Sequence, residues 1–402
     1  MSVSGVSSEA VAPADVRLAF PKEEFIARRD RVVAEMQARG LDLLLVSTPP
    51  NFYYLTGIFT GLISNFVFKL AITAKGDGIW IGRHTEMSNV RARAAGSWAT
   101  ETRSILDSMD PYEELARQVK SLVGSGSRVG IDYASMCLSV AGFERLKANA
   151  PHVDFVDASG LVEKFRAIKS AGELDYLRRA GAISGAAIRT ALGNIRAGHT
   201  DRDIASDLFS TAVKLGSEPM SMGPFVPTGL RTFQAHSSWI GAELRPGDLI
   251  NTELAAVVAR YNTPVFRVAV VGEPSDELKR FYDASRAGLE AGLSGIEPGM
   301  TSHDADAVVR AAIERTPYAE YFTVRAAYGI GIGMQPTWAE SAVLAFRPND
   351  RTVIRPGMTV HIVPALYKQD IGCVCCSMPV EVTDSGVHPL TDISPDLIVV
   401  NL

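Results

Sequence analysis

A change of rhythm near residue 160 constrains this chain more than any other feature. Before it, strand-length apolar runs alternate with helix-length amphipathic ones. Residues 22–40 carry Phe25, Val32, Val33 and Met36 at helical spacing, and Gly40 stops the run. LDLLLVST (41–48) reads as a buried strand closed by Pro49 and Pro50, and residues 66–73 and 78–82 as two more. Helices at 111–124 and 138–149 flank a strand at 128–133, and VDFVDAS (153–159) ends the series. Such alternation predicts an α/β domain. Beyond it, residues 161–195 form a long helical stretch with a turn near Ser170, and Thr200 caps a further helix within 197–216. From 220 the chain is strand-rich, interrupted by helices at 275–296 and 301–316, with late turns at Asp384-Ser385-Gly386 and Pro389. LRPGDLI (244–250) and IRPGMTV (354–360) each set Pro-Gly before an apolar strand, which points to two related halves. The expected division is a flexible N-terminal arm (1–20), an α/β domain (21–163) and a second, mixed α/β (α+β) domain (164–402).

With 402 residues and 47% hydrophobic content, the chain can bury large cores without covalent staples. A net charge of -5 with 21% charged residues excludes a disordered tail protein and argues against a nucleic-acid partner, which asks for a basic surplus. No run of 18 uncharged apolar residues appears, and the first twenty residues lack the basic and apolar regions of a signal peptide. A cytoplasmic protein with no membrane segment is expected. Cys137, Cys373, Cys375 and Cys376 complete no zinc set with a nearby second pair or CxxH and suit reduced thiols better than disulfides.

Five segments together carry a resemblance. They are NFYYLTG (51–57), FRAIKSAGELDYLRRAGAIS (165–184), RPGDLINTEL (245–254), YGIGIG (328–333) and PGMTVHIVPALY (356–367). In this order, and over nearly the whole chain, they resemble the superfamily of methionine aminopeptidase, prolidase and creatinase. The resemblance implies a creatinase-like N-terminal α/β domain and a pseudo-symmetric C-terminal "pita-bread" catalytic domain. It also implies a homodimer whose active sites borrow residues from the partner. Peptidases of that superfamily hold two metal ions with two Asp, one His and two Glu. Matching the segments puts those positions on Glu253, Pro264, Tyr328, Val363 and Cys376. One carboxylate of four is left, so no metal and no other cofactor is expected.

Creatinase works without metal; its His falls on His236 and its two Glu on Phe266 and Val363. A closer likeness is to the ectoine hydrolases. TELAAVVARYNTPVFRVAVVGEP (252–274) resembles their Glu-centred strand with its Arg-Tyr-x-x-Pro-x-x-Arg stretch, and YGIGIGMQPTWAE (328–340) resembles their glycine-rich run. In that subfamily the Glu at the position of Glu253 is the catalytic carboxylate. The chain departs from them at TGIFTGLISNFVF (56–68), which is apolar where they are aromatic and polar. If that segment covers the partner's pocket, the substrate is different and more apolar.

Read from the residues alone, Glu253 interrupts an apolar strand and shares a face with Asn251 and Ala255. A carboxylate there is either paired with an arginine or raised in pKa. As a working group it attacks an electrophilic carbon or deprotonates a water. His236, in RTFQAHSSW, is a proton shuttle or an ordinary loop residue. Arg267 and Arg260 need an anion, either Glu253 or a substrate carboxylate, and Arg231 is another carboxylate-binding candidate. His361 is a core histidine or a pocket residue. Tyr261, Tyr328, Trp239 and Trp338 are core aromatics or walls for a planar cationic ring. GIGIG (329–333) lacks the spacing of a dinucleotide site.

The expected activity is metal-independent hydrolysis of a C–N bond in a small zwitterion, an ectoine-type cyclic amidine first. Glu253, His236 and Tyr328 are the expected catalytic residues. Arg231, Trp239, Tyr261, Arg267, Trp338 and His361 are the expected substrate contacts. The alternatives are a creatinase-like amidinohydrolase, a lyase or isomerase using the same Glu, and a non-catalytic binding module.

Overall fold

The computed structural model describes residues 18–61 and 66–402. Most of the expected arm and the centre of the 56–68 segment therefore lie outside the described residues. The chain divides into two compact units between Phe165 and Arg166.

The first unit contains β1 (Leu43–Val46), β2 (Phe68–Thr73), β3 (Gly78–Arg83), β4 (Glu101–Ile105), β5 (Arg128–Ile131) and β6 (Asp154–Asp157). Its helices are α1 (Lys22–Ala38), α2 (Pro49–Thr56), α3 (Met87–Arg91), α4 (Pro111–Leu122) and α5 (Val140–Asn149). The strands form one sheet in the order β4-β3-β2-β1-β5-β6, antiparallel only where β2 meets β1 and β3. β1 is buried along its whole length, as a strand covered on both faces must be. Pro49 and Pro50 close β1 as expected, and they also open α2, whose first turn tolerates a fixed φ and a missing N–H. α2 stops at Gly57, φ 70°, where a Cβ would lie 2.7 Å from the Phe25 ring. Phe20 is buried against Phe25, with the Arg28 guanidinium 4.4 Å from its ring centroid, so the expected arm ends before residue 20.

A single turn, α6 (Glu163–Arg166), leads into the second unit. Here α7 (Ala171–Gly193) and α8 (Asp201–Lys214) precede the long hairpin β7 (Leu249–Val258) and β8 (Tyr261–Val271). Ser170 and Glu173 cap α7 reciprocally, which is why the helical stretch breaks at Ser170. Next come α9 (Asp276–Gly295), α10 (Ser302–Glu314), β9 (Ala327–Met334), β10 (Thr337–Ala339), β11 (Ala345–Phe346) and β12 (Thr359–Ile362). The last strands are β13 (Leu366–Lys368), β14 (Gly372–Val374), β15 (Met378–Thr383), β16 (Gly386–Pro389) and β17 (Ile398–Val400). The main sheet runs β16-β15-β12-β9-β8-β17, with β7 on β8 and the short β10 and β11 on β9.

The two Pro-Gly punctuations mark a structural repeat. Gly247 and Gly357 both have positive φ, 86° and 84°, and donate their N–H to the last part of a neighbouring strand, at Val271 and Val382. Thr200 and Thr301 each cap a helix through an aspartate three residues on, Asp203 and Asp304. Each of these threonines also bridges to a segment just before its Pro-Gly turn, at Glu243 and Val353. Ile250, Leu254, Val265 and Ala269 pack with α7 and α8, while Val268, Val270, Val360 and Ile362 pack with α9 and α10. Each half of the sheet thus packs against its own helix pair.

Candidate active site

Alternation along the β7–β8 hairpin fixes what can reach the site. Glu253 pairs with Phe266 and Thr252 with Arg267, so each pair points to its own face of the sheet. Asn251, Glu253 and Phe266 line a cavity of about 490 Å³, a size suited to a small molecule. Thr252 and Arg267 lie on the opposite face.

Glu253 is half-buried on the cavity wall. Burial pushes its carboxyl from 4.5 up to about 8, against the opposing effect of the neighbouring Tyr328 hydroxyl. No arginine neutralises it. Tyr328, on β9, also accepts from Trp338 Nε1 at 2.9 Å, and its hydroxyl lies 2.8 Å from His361 Nδ1. The phenol is held well above its usual range by burial and then by Glu253. Asn251 donates through Nδ2 to the Cys373 carbonyl at 3.1 Å. A carbonyl only accepts, so the amide orientation is fixed and Oδ1 is the free end. That oxygen is buried, without a protein partner, on a cavity-lining residue. A buried orphan acceptor calls for a donor from a ligand or water.

His236 lines the cavity from an exposed loop, at φ 55° and with its ring against Phe225. Trp338 lines it too, edge-on to Phe225. Phe225 is positioned by two backbone hydrogen bonds to Glu253 itself. His361 is fully buried behind Tyr328 and is not part of the cavity wall.

Besides His361, four more expected substrate contacts are placed off the cavity wall. Arg267 spends its guanidinium on the carbonyls of Phe266, Ser377, Ile393 and Ser394, at 2.6–2.8 Å. It is neither a partner of Glu253 nor open to substrate; a one-residue step along the strand puts it on the wrong face. Arg231 pairs with the buried Asp201 and with the Ser238 carbonyl. Asp201 also accepts from the backbone of Ile240, Gly241 and Ala242, so this pair clamps the base of the His236 loop. Tyr261 donates to Glu173 at 2.7 Å and stacks on Tyr176, outside the cavity. Trp239 packs edge-on to Phe209 in the core beside α7 and α8. Arg260 bonds the Pro219 and Gly333 carbonyls and Ser221.

Two arginines not singled out in the sequence stand in the cavity wall, Arg325 and Arg347. Arg325 bonds Ser341 Oγ at 3.1 Å and lies 5.1 Å from the Tyr328 ring centroid. Cys373 and Cys375 also line the cavity. Burial pushes Cys373 up to about 12 and Cys375 well above the ordinary thiol value, so both are weak nucleophiles.

The metal positions of the resembling peptidases do not suit a metal pair here. Pro264 and Val363 have no donor. Cys376 Sγ bonds the Pro395 carbonyl at 3.0 Å and does not line the cavity. Glu253 and Tyr328 alone supply oxygen, fewer ligands than a divalent pair needs. Among the described residues no group of three His, Cys, Asp or Glu comes together as a ligand set.

The sequence matches the model of metallopeptidase family M24 over residues 175–384 and that of the creatinase/prolidase N-terminal domain over residues 28–168. The chain belongs to the M24 family, as a hydrolase with a creatinase-type N-terminal domain and a pita-bread C-terminal domain. It is similar to the ectoine hydrolase of Halomonas elongata, 29% identical over 401 residues, covering 96% of this chain and 99% of that one. It is also similar to the Xaa-Pro dipeptidase of Lactobacillus delbrueckii subsp. lactis, 26% identical over 372 residues, with 92% and 97% covered. Among solved structures, the prolidase of Thermococcus sibiricus matches with a TM-score of 0.83 at 24% identity, covering 94% of this chain and 99% of that one. The Xaa-Pro dipeptidase of Bacillus anthracis matches at 0.79 and 28%, covering 94% and 100%. Among the described residues no helix is long and apolar enough to cross a membrane.

Proposed function

We propose that this protein is a metal-independent hydrolase that opens a C–N bond in a small zwitterion, with an ectoine-type cyclic amidine as the first candidate. The observation that carries the reading is Glu253: a lone carboxylate with a raised pKa on a cavity wall where the other four metal positions cannot complete a dinuclear centre. Glu253 attacks the amidine carbon or deprotonates the water that does. Tyr328 or His236 returns a proton to the departing nitrogen. Asn251 Oδ1 accepts an N–H of the ring, and Arg325 or Arg347 meets the substrate carboxylate. A cationic amidine beside Glu253 lowers the carboxyl pKa and favours its active, ionised form. The superfamily resemblance adds a homodimer to this proposal, tested by sedimentation of the purified protein, and the composition and reduced-thiol pattern add a cytoplasmic setting.

EDTA-treated protein is expected to open ectoine or 5-hydroxyectoine at an unchanged rate, followed by proton NMR, and to leave a Xaa-Pro dipeptide intact. Activity lost to EDTA and restored by a divalent ion, with dipeptide cleavage, would replace this reading by the peptidase one. Solvent oxygen in the product separates hydrolysis from a lyase or isomerase reaction. Asn251→Leu removes the acceptor at similar volume. It is expected to raise KM by roughly 10–100-fold, the cost of leaving a substrate N–H unpaired, with a smaller effect on kcat. An unchanged KM would detach Asn251 from substrate.

A further inference from the structure

Behind Tyr328 stands a chain of hydrogen-bonding groups that the reaction outlined above does not use: His361 on β12 and Ser377 just before β15. Both side chains are fully buried. His361 Nδ1 lies 2.8 Å from Tyr328 Oη, and its Nε2 lies 2.7 Å from Ser377 Oγ. The count of donors and acceptors, taken together with the distances around Ser377, says which way each proton points.

Ser377 Oγ accepts the Phe266 N–H at 2.9 Å and has one proton to give. Two acceptors compete for it, His361 Nε2 at 2.7 Å and the Phe266 carbonyl at 3.3 Å. The Phe266 carbonyl is long for a hydroxyl bond and already accepts from Arg267 at 2.6 Å, so Ser377 donates to Nε2. Nε2 then carries no proton. The imidazole is neutral, because burial and the Arg267 guanidinium both hold its pKa well below the ordinary value. Its single proton therefore sits on Nδ1 and is donated to Tyr328 Oη. Trp338 Nε1 has only a proton to offer and gives it to the same oxygen. Both lone pairs of Tyr328 are thereby filled. Its own O–H is left to point into the cavity, which Tyr328 and Glu253 both line.

We propose that Ser377 and His361 are positioning residues that hold the Tyr328 O–H pointing into the cavity that Glu253 lines, as a proton donor to the group that faces it there. Ser377 selects the Nδ1–H tautomer, the tautomer fills Tyr328 from behind together with Trp338, and the phenol proton is kept on the cavity side. The second-row groups set the geometry of the reacting one, as an outer shell does for a metal ligand. The functional consequence rests on Glu253 being the reacting carboxylate, whereas the tautomer itself does not.

Nitrogen-15 NMR of the imidazole of His361, in the intact protein without substrate, reads the tautomer directly. The expected result is a single Nδ1–H form in the wild type. The same form is expected in Glu253→Gln, because the lock is set from behind. In Ser377→Ala both tautomers are expected to appear. An Nε2–H imidazole in the wild type would overturn the proposal without recourse to any variant, and so would a Ser377→Ala spectrum identical to the wild type. On a substrate that is turned over, Ser377→Ala is expected to lower kcat about tenfold with KM within twofold, the signature of a misdirected group rather than a lost contact. If none of the tested compounds is turned over, the functional reading fails while the NMR result still decides the tautomer.

Discussion

Replacing Glu253 by Gln is expected to abolish turnover and at the same time to make the folded protein more stable, increasingly so as the pH rises. Loss of a positioned general base costs roughly 10²–10⁴-fold in rate, and loss of a nucleophile at least as much. The stability effect follows from proton linkage. The carboxyl of Glu253 is raised from 4.5 to about 8 in the fold. Well below pH 4.5 it is protonated whether the chain is folded or not, and the substitution gains nothing from charge. Between the two values the unfolded chain ionises freely while the folded chain resists. Ionisation therefore favours unfolding progressively through this window, and fully above about pH 8. The shift taken whole would correspond to about 5 kcal/mol. A carboxylate that faces a cavity recovers part of this through water, so a gain of about 2–3 kcal/mol at pH 9 is expected, and near zero at pH 4. Denaturant titrations of both proteins at the two pH values measure it. A variant less stable than wild type at pH 9 would mean that the carboxylate is already compensated and is a structural group.

The opposite outcome is expected at Glu340, whose carboxylate is buried and fully engaged. It bonds Arg166, Lys169 Nζ at 3.0 Å and the Ile332 N–H at 3.2 Å. Burial works against its charge, but Arg166 and Lys169 outweigh burial and hold its pKa below the usual value. Removing one member of such a group leaves the others charged in a poor solvent, at a cost of about 3–5 kcal/mol. Glu340→Gln is expected to lose that much at pH 7. The loss shrinks as the pH falls, because the stability that the carboxylate contributes is present above its unfolded-state value of 4.5 and disappears as it protonates below. Glu340 stands two residues beyond Trp338, so the variant is also expected to disturb the indole that bonds Tyr328. A change under 1 kcal/mol in chemical denaturation would refute the account.

These two glutamates show what the sequence could and could not say. Glu253 interrupts an apolar run, Glu340 stands among mixed residues, and both lie in the motifs that resemble the ectoine hydrolases. Alternation put Glu253 and Asn251 on one face, and the structure places both on the cavity. Alternation also gave Arg267 a face, but the pairing register across the hairpin decides whether that face is shared with Glu253, and register is a long-range property. α2 was hidden because Pro49 and Pro50 look alike as a strand terminator and as a first helical turn. β4, ETRSI, was hidden because its polar residues at 101–104 mask any apolar alternation. Arg325, just before β9, and Arg347, just after β11, resemble any exposed arginine until those strands are folded around a cavity. The Pro-Gly pair was legible because a left-handed turn before a strand asks for glycine in both halves.

Arg267, which has no view of the cavity, nonetheless governs its dimensions. Its guanidinium fastens the strand that carries Phe266, the segment that carries Ser377, and the stretch through Ile393 and Ser394 that leads to β17. Like a rivet through three plates, it fixes how far the wall bearing Glu253 stands from the residues that orient Tyr328. An ammonium group, with one point of charge, cannot span the same three carbonyl-bearing segments. Tolerance to substitution should therefore be lower at this remote arginine than at the apolar side chains that line the cavity itself.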